Sequence, residues 1–198
     1  MPKVTAEHRL ARRAQIVAAA RTLVAEQGFH KTTMADLIEV SGLSAGAVYG
    51  YFKSKEEIVA AIAEEALGTV ENLFDDFVDP QQPMSPIDAL ERLLQHVVSL
   101  AERPGGDVTR IALQAWAEAL HNPAVMAIAG AKYTDIRGRF ELVARRAQAA
   151  GILDPDADPR HIAQVLFGLL PGFVLQRLIL GDTTPETYTA GLRAVLRG

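Results

Sequence analysis

The 198-residue chain contains no cysteine, which excludes disulfides and thiolate chemistry and suits a reducing compartment. Aromatic residues are only 6% of the chain against 49% hydrophobic residues, a balance that packs helices more readily than sheets. The N-terminal MPKVTAEHRLARRAQ lacks the apolar core of a signal peptide, and a cytoplasmic location is expected. No Gly-x-Gly-x-x-Gly, P-loop or Gly-x-Ser-x-Gly occurs. The five histidines, His8, His30, His96, His121 and His161, form no i,i+4 pair with one another and no His-Glu-x-x-His arrangement. No metal, no cofactor and no enzymatic activity are therefore expected. Asp154-Pro155-Asp156-Ala157-Asp158 opens like a calcium loop, but Pro159 and Val165 stand where that pattern needs Gly and Glu. A connecting loop with Asp158 as N-cap and Pro159 as first helical residue is the expectation.

The formal charge of −4 is unevenly placed. Residues 1–55 hold eight Lys/Arg against four Asp/Glu (+4), the remainder twelve against twenty (−8), together the −4 of the whole. Alone, such a split is also what ordinary surface variation gives; joined to the helix-turn-helix pattern below, it reads as a basic binding head on an acidic body.

The basic part contains two helix starts about ten residues apart, then a third. Thr33 can cap a helix with Asp36 as capping-box partner. Leu37, Ile38 and Val40 form its apolar side, and Gly42 ends it. Ser44 can cap the next helix, whose Ala45, Gly46, Ala47 and Gly50 leave one side nearly bare. Val48 and Phe52, four apart, make the opposite side apolar. Ser54 with Glu57 opens a third helix. Two short helices joined by a tight Gly-containing turn predict a helix-turn-helix whose second helix enters the DNA major groove. Ala45, Gly46, Ala47 and Tyr49 are expected at base edges. Thr33, Tyr51, Lys53 and Lys55 are expected on phosphates, the two lysines beside unpaired helix N–H groups.

These residues resemble the TetR family of bacterial transcriptional regulators: Thr32-Thr33, Ala35-Asp36-Leu37, Ser41-Gly42, Leu43-Ser44-x-Gly46-x-Val48-Tyr49-x-Tyr51-Phe52 and Lys53-Ser54-Lys55-Glu56. The motif covers roughly the first third of the chain. Ile38-Glu39 departs from the usual Ile-Ala, a surface variation. The resemblance implies an all-α fold with an N-terminal three-helix helix-turn-helix head, residues 1–55. It implies a larger helical body, residues 56–198, for ligand binding and dimerisation.

A first helix is expected from Ala6 or Glu7 to about Gln27, with Ile16, Ala19, Ala20, Leu23 and Val24 on its apolar face and Gly28 as its stop. Arg9, Arg12 and Arg13 either touch phosphates or stay solvated. After Ser54, Ile58, Ile62, Ala66, Val70, Leu73, Phe74 and Phe77 repeat at helical spacing, and residues 79–83 form a loop. Ser85-Pro86 opens a helix ending near Arg103, and Pro104-Gly105-Gly106 breaks it. Asp107 caps a helix to Leu120. Asn122-Pro123 precedes a long helix to about Ala150, stopped by Gly151.

Ile162–Leu180 is apolar nearly all round. Its length would span a bilayer, but Gln164, Pro171, Gln176 and Arg177 argue against that, and burial against a second subunit is the expected alternative. Thr184-Pro185-Glu186 starts a last helix. The resemblance implies that the last two helices form a four-helix dimer interface, at Val165, Leu166, Leu169, Phe173, Gln176, Leu192 and Val195. It also implies a small-molecule effector in the body. Trp116, Met126, Tyr133 and Phe140 frame an apolar cavity with His96, Arg110, Gln114, Glu118 and His121 as polar contacts, or they are plain core with a solvated polar shell; the sequence leaves both open. The expected function is a homodimeric regulator, most simply a repressor released from its operator by a small, largely apolar ligand. The alternative is a dimeric DNA-associated interaction protein whose body binds another protein. No membrane association is expected.

Overall fold

The computed structural model describes residues 6–29, 31–65, 83–103 and 107–196. Expectations for His30, for the helical positions Ala66, Val70, Leu73, Phe74 and Phe77, for most of the 79–83 loop and for Pro104-Gly105-Gly106 lie outside the described residues. Among the described residues the regular elements are all helical: α1 Ala6–Gln27, α2 Met34–Ser41, α3 Ala45–Tyr51, α4 at 55–65, α5 Pro86–Ala101, α6 Val108–Ala119, α7 Pro123–Ala149, α8 Pro159–Ile179 and α9 Pro185–Leu196. The fold is the all-α fold the sequence implies.

The helix boundaries follow the local chemistry. Gly28, Gly42 and Gly151 adopt the left-handed conformation that stops α1, α2 and α7, at φ 84°, 65° and 72°. Asn122 Oδ1 accepts from the Ala124 and Val125 N–H groups at 3.1 and 3.4 Å to begin α7. Asp158 Oδ1 accepts from the Arg160 N–H at 2.8 Å, with Pro159 in the first helical turn. The 154–158 segment is thus a capping loop, tied down where Gln148 Nε2 donates to the Asp154 and Ala157 carbonyls.

The chain forms two compact units, Met1–Leu67 with Glu102–Ala129, and Gly68–Ala101 with Gly130–Gly198. In the first, α1 packs on α2 and α6. Its core takes Ile16, Val17, Ala20 and Val24 from α1, Leu37 from α2, Val48 and Phe52 around α3, Ile58 and Ile62 from α4, and Ile111 and Ala115 from α6. Val40, expected on the apolar side of α2, is exposed. Leu37 faces inward as expected and is joined by Ser41 four residues on, so the buried stripe of this eight-residue helix includes a serine.

In the second unit α5 packs on α8 and α9. Leu90, Leu93 and Leu94 of α5, Phe140 of α7 and Phe173 of α8 are fully buried. Arg193 of α9 donates to Asp88 and Glu91 of α5 at 2.6 and 2.7 Å. Burial pushes the Asp88 carboxyl up, but hydrogen bonds from Ser85 and Arg193 outweigh it and hold the group below the usual carboxylate range. Helix α8 has the length and apolarity of a membrane-crossing helix, and its own unit covers only one side of it. Ala163, Leu166, Phe173 and Val174 are buried, whereas Val165, Leu175 and Ile179 face outward.

Candidate nucleic-acid interface

The capping box that starts α2 is complete. Thr33 Oγ1 accepts from the Asp36 N–H at 3.2 Å, and Asp36 Oδ2 accepts from the Thr33 N–H at 2.8 Å. The Thr33 hydroxyl and then its backbone N–H hold the Asp36 carboxyl below its ordinary range. The hydroxyl proton also goes to Asp36, at 2.8 Å. A phosphate contact by Thr33 therefore requires that bond to be exchanged.

Three residues, 42–44, separate α2 from α3. Ser41 organises this turn: its Oγ donates to the Ile38 carbonyl at 2.8 Å and accepts from the Leu43 N–H at 3.2 Å. Its carbonyl accepts from Gln15 Nε2 of α1 at 3.1 Å. Ser44 Oγ accepts from the Ala47 N–H, capping α3. Val48 and Phe52 are buried, as their four-residue spacing requires. The opposite side of α3 is open. Ala45 and Gly46 are exposed, Ala47 is half-buried, and Tyr49 is 44% exposed. A Cβ at Gly46 or Gly50 would meet nothing within 4 Å, so this face can press against another surface at backbone range.

The two lysines after α3 occupy different settings. Lys53 is exposed, and its Nζ donates to the Tyr49 carbonyl at 2.8 Å, capping the carbonyl end of α3. Lys55 is half-buried, and its Nζ donates to the Phe29 carbonyl at 3.0 Å. Each ammonium carries three donors, so each keeps two beyond these bonds. Ser54 and Glu57 share the start of α4: Ser54 Oγ accepts from the Glu57 N–H at 3.4 Å, while Glu57 Oε2 accepts from the Lys53 N–H at 2.7 Å. Tyr51 is half-buried.

Two residues outside every local motif also support the head. The Arg13 guanidinium lies 5.3 Å from the centroid of the Phe52 ring, and Gln15 holds the α2–α3 turn. Neither could be read from spacing, because their partners lie 39 and 26 positions away. Arg12 turns to Gln15, at 2.8 Å.

The residues expected to line an effector pocket divide between the units. Arg110, Gln114, Trp116, Glu118, His121 and Met126 fall in the first; His96, Tyr133 and Phe140 fall in the second. Gln114 and Glu118 line a common cleft. Arg110, His121 and Met126 are exposed. Tyr133 packs on Phe167, ring centroids 5.0 Å apart, and burial pushes its phenol well above the usual range. Phe140 is core.

Of the residues expected at a subunit interface, Val165, Gln176 and Val195 are exposed and Leu169 and Leu192 half-buried. Leu166 and Phe173 require correction. Both are buried inside their own unit, Phe173 edge-on to Tyr188 at 5.5 Å, because the inner stripe of α8 packs on its neighbours.

A capped three-helix head presenting the bare face of its third helix, followed by a helical body, defines a helix-turn-helix DNA-binding protein. Residues 16–62 match the model for bacterial regulatory proteins of the tetR family, and residues 86–198 match the BetI-type transcriptional repressor C-terminal model. The chain is 30% identical over 190 residues to the HTH-type transcriptional regulator UidR of Escherichia coli, covering 94% of this chain and 91% of UidR. Its fold matches Salmonella enterica GusR at 24% identity and TM-score 0.73, over 99% of this chain and 100% of GusR. It also matches SmeT, the repressor of the Stenotrophomonas maltophilia multidrug efflux pump SmeDEF, at 24% identity and TM-score 0.70, over 89% and 84% of the two chains. SmeT has also been solved as a triclosan complex. The chain belongs to the TetR family of transcriptional regulators.

Proposed function

We propose that the protein is a homodimeric, cytoplasmic repressor released from its operator by a small, largely apolar ligand bound in the helical body. The observation that carries the DNA half is the open face of α3, where Gly46 and Gly50 meet no neighbouring atom while Val48 is fully buried behind them. Ala45, Gly46, Ala47 and Tyr49 then face bases, with contact to thymine methyls or close backbone approach in place of hydrogen bonds from the small residues. Tyr51, Lys53 and Lys55, and Thr33 once its hydroxyl exchanges partners, set the register on phosphates. Functionally the division is a DNA-binding head at 1–55 and an effector and dimer body at 56–198.

Dimerisation is supported by the outward face of the last two helices. Val165, Ile179 and Val195 are 62%, 73% and 78% exposed in the single chain, and Leu175, Leu180 and Leu196 join them. An apolar stripe of this kind calls for a partner surface, and a second copy covers it with the same stripe. The two α3 helices then stand at roughly one DNA turn, about 34–36 Å, or at another spacing matched by the operator. A ligand releases the DNA only as far as it prefers the conformer with the wrong spacing.

The test is fluorescence anisotropy with DNA flanking the protein's own gene, titrated at several salt concentrations. Tight, site-dependent binding of two protomers is expected. Weak binding without site preference, falling steeply with salt, overturns the sequence-reading assignment and favours the interaction-protein alternative.

A further inference from the structure

The turn joining α1 to α2 is tied to more elements than a connector needs. The Gly28 N–H donates to the Val24 carbonyl and the Gly28 carbonyl accepts from Thr32 Oγ1, both at 2.8 Å. The next carbonyl, that of Phe29, accepts from Lys55 Nζ at the start of α4. Gln114 of α6 reaches the same turn: a Cβ on Gly28 would lie 3.8 Å from Gln114 Oε1.

Between this turn and α6 lies a cleft of about 230 Å³. Phe29, Gly28 and Ala117 give it apolar walls, and Gln27 and Lys31 also line it. Gln114 Oε1 is buried, and no protein donor reaches it. A carbonyl oxygen in that position has lost its water without gaining a partner. Glu118 lies one helical turn further along α6 and also lines the cleft. It accepts from Asn122 Nδ2 at 3.3 Å, which leaves acceptor sites open. Lys31 is exposed, so solvent screens its charge.

Gln114 and Glu118, one turn apart beside apolar walls, fit a cationic group rich in N–H donors once the Gln114 carboxamide turns its oxygen into the cleft. We propose that this cleft binds a compact primary ammonium compound with an apolar body, hydrogen-bonded to Gln114 and Glu118. Its occupancy reaches the head through the turn that Lys55 grips at Phe29. This rests on the ligand-responsive regulator reading, names the ligand class for it and sets the ligand where α6 meets the α1–α2 turn of the head. The volume corresponds to roughly seven or eight waters at their liquid share, so the ligand has about that many heavy atoms.

Benzylamine, protonated near neutral pH, is a probe of that size. Isothermal titration of the full chain with benzylamine should show saturable binding. Gln114→Met and Glu118→Gln should each weaken it by about tenfold or more, the loss of a charge-assisted hydrogen bond. Benzoate should bind worse than benzylamine. Absent binding, equal binding by both variants, or preference for benzoate overturns the site. Circular dichroism confirms that each variant is folded, and Glu118→Gln alone decides if Gln114→Met is not. Saturating benzylamine should also shift the operator dissociation constant by roughly 5–150-fold in anisotropy; no shift overturns the coupling to the head. The two readings fail separately. Operator binding without benzylamine binding sinks the cleft and leaves the regulator. Benzylamine binding that both variants weaken, without operator binding, sinks the regulator and leaves the cleft.

Discussion

Replacing Gly46 by leucine should move stability and DNA binding in opposite directions. Gly46 is the second residue of α3, lies outside the left-handed region and has nothing within 4 Å of a Cβ. In the free protein, leucine therefore meets no clash, and it relieves the helix of glycine's backbone entropy, a gain of up to about 0.5–1 kcal/mol. For a chain of this size that is roughly 1–4 °C in melting temperature. Against DNA the same side chain holds the bare face of α3 off the base edges. Losing one base-edge contact per head removes about 1–3 kcal/mol each, and two heads make this roughly thirty-fold to twenty-thousand-fold in operator affinity. Non-specific, salt-dependent binding through the lysines should persist as a floor. Thermal melting and operator anisotropy on the same preparation check both arms. A folded Gly46→Leu protein with wild-type operator affinity would refute the close approach of α3, and a lowered melting point would refute the openness of the site.

Lys55→Ala should flatten the salt dependence of DNA binding by about one per head. It should also lower stability by about 0.5–1.5 kcal/mol through the lost bond to the Phe29 carbonyl; an unchanged slope with a lower melting point would make Lys55 a strut alone. Val165→Asp with Val195→Asp should leave the helix content intact, because both side chains are exposed in the protomer. Sedimentation should then report monomers and operator avidity should drop, whereas a persisting dimer places the interface elsewhere. Asp36→Asn tests the capping box through pH. Because the folded-state carboxyl is depressed, its stabilisation is complete above its unfolded value near roughly pH 4 and is lost as pH falls through the lower folded value. The melting-temperature gap between wild type and Asp36→Asn should thus be flat from neutral pH to about 5 and close below about 4; a gap that widens on acidification contradicts the sign.

The legible parts of this protein are those whose causes are local. Thr33 and Asp36 form their capping box because both partners lie within one turn. Gly28, Gly42 and Gly151 stop helices because only a left-handed residue closes those turns cheaply. Val48 and Phe52 share a buried side because four residues nearly complete a helical turn. Misreadings arose where a residue's surroundings come from distant chain. Val40 was apolar at a plausible spacing, but packing turned Leu37 and Ser41 inward. Leu166 and Phe173 enter the interface set through the family resemblance alone; α8 is apolar all round, and its periodicity does not say which side meets its own unit.

The sequence by itself determined the helices, their caps, the bare face of the head's third helix and the family, since these rest on interactions spanning a few residues or on an ordered motif. Only the tertiary structure decided that Arg13 lies over Phe52 and that Gln15 holds the α2–α3 turn. It alone tied Lys55 to the α1–α2 turn, buried Gln114 Oε1 without a protein donor, and set which face of α8 remains open. Each depends on where elements tens of residues apart come together, and a linear pattern of side chains does not encode that distance.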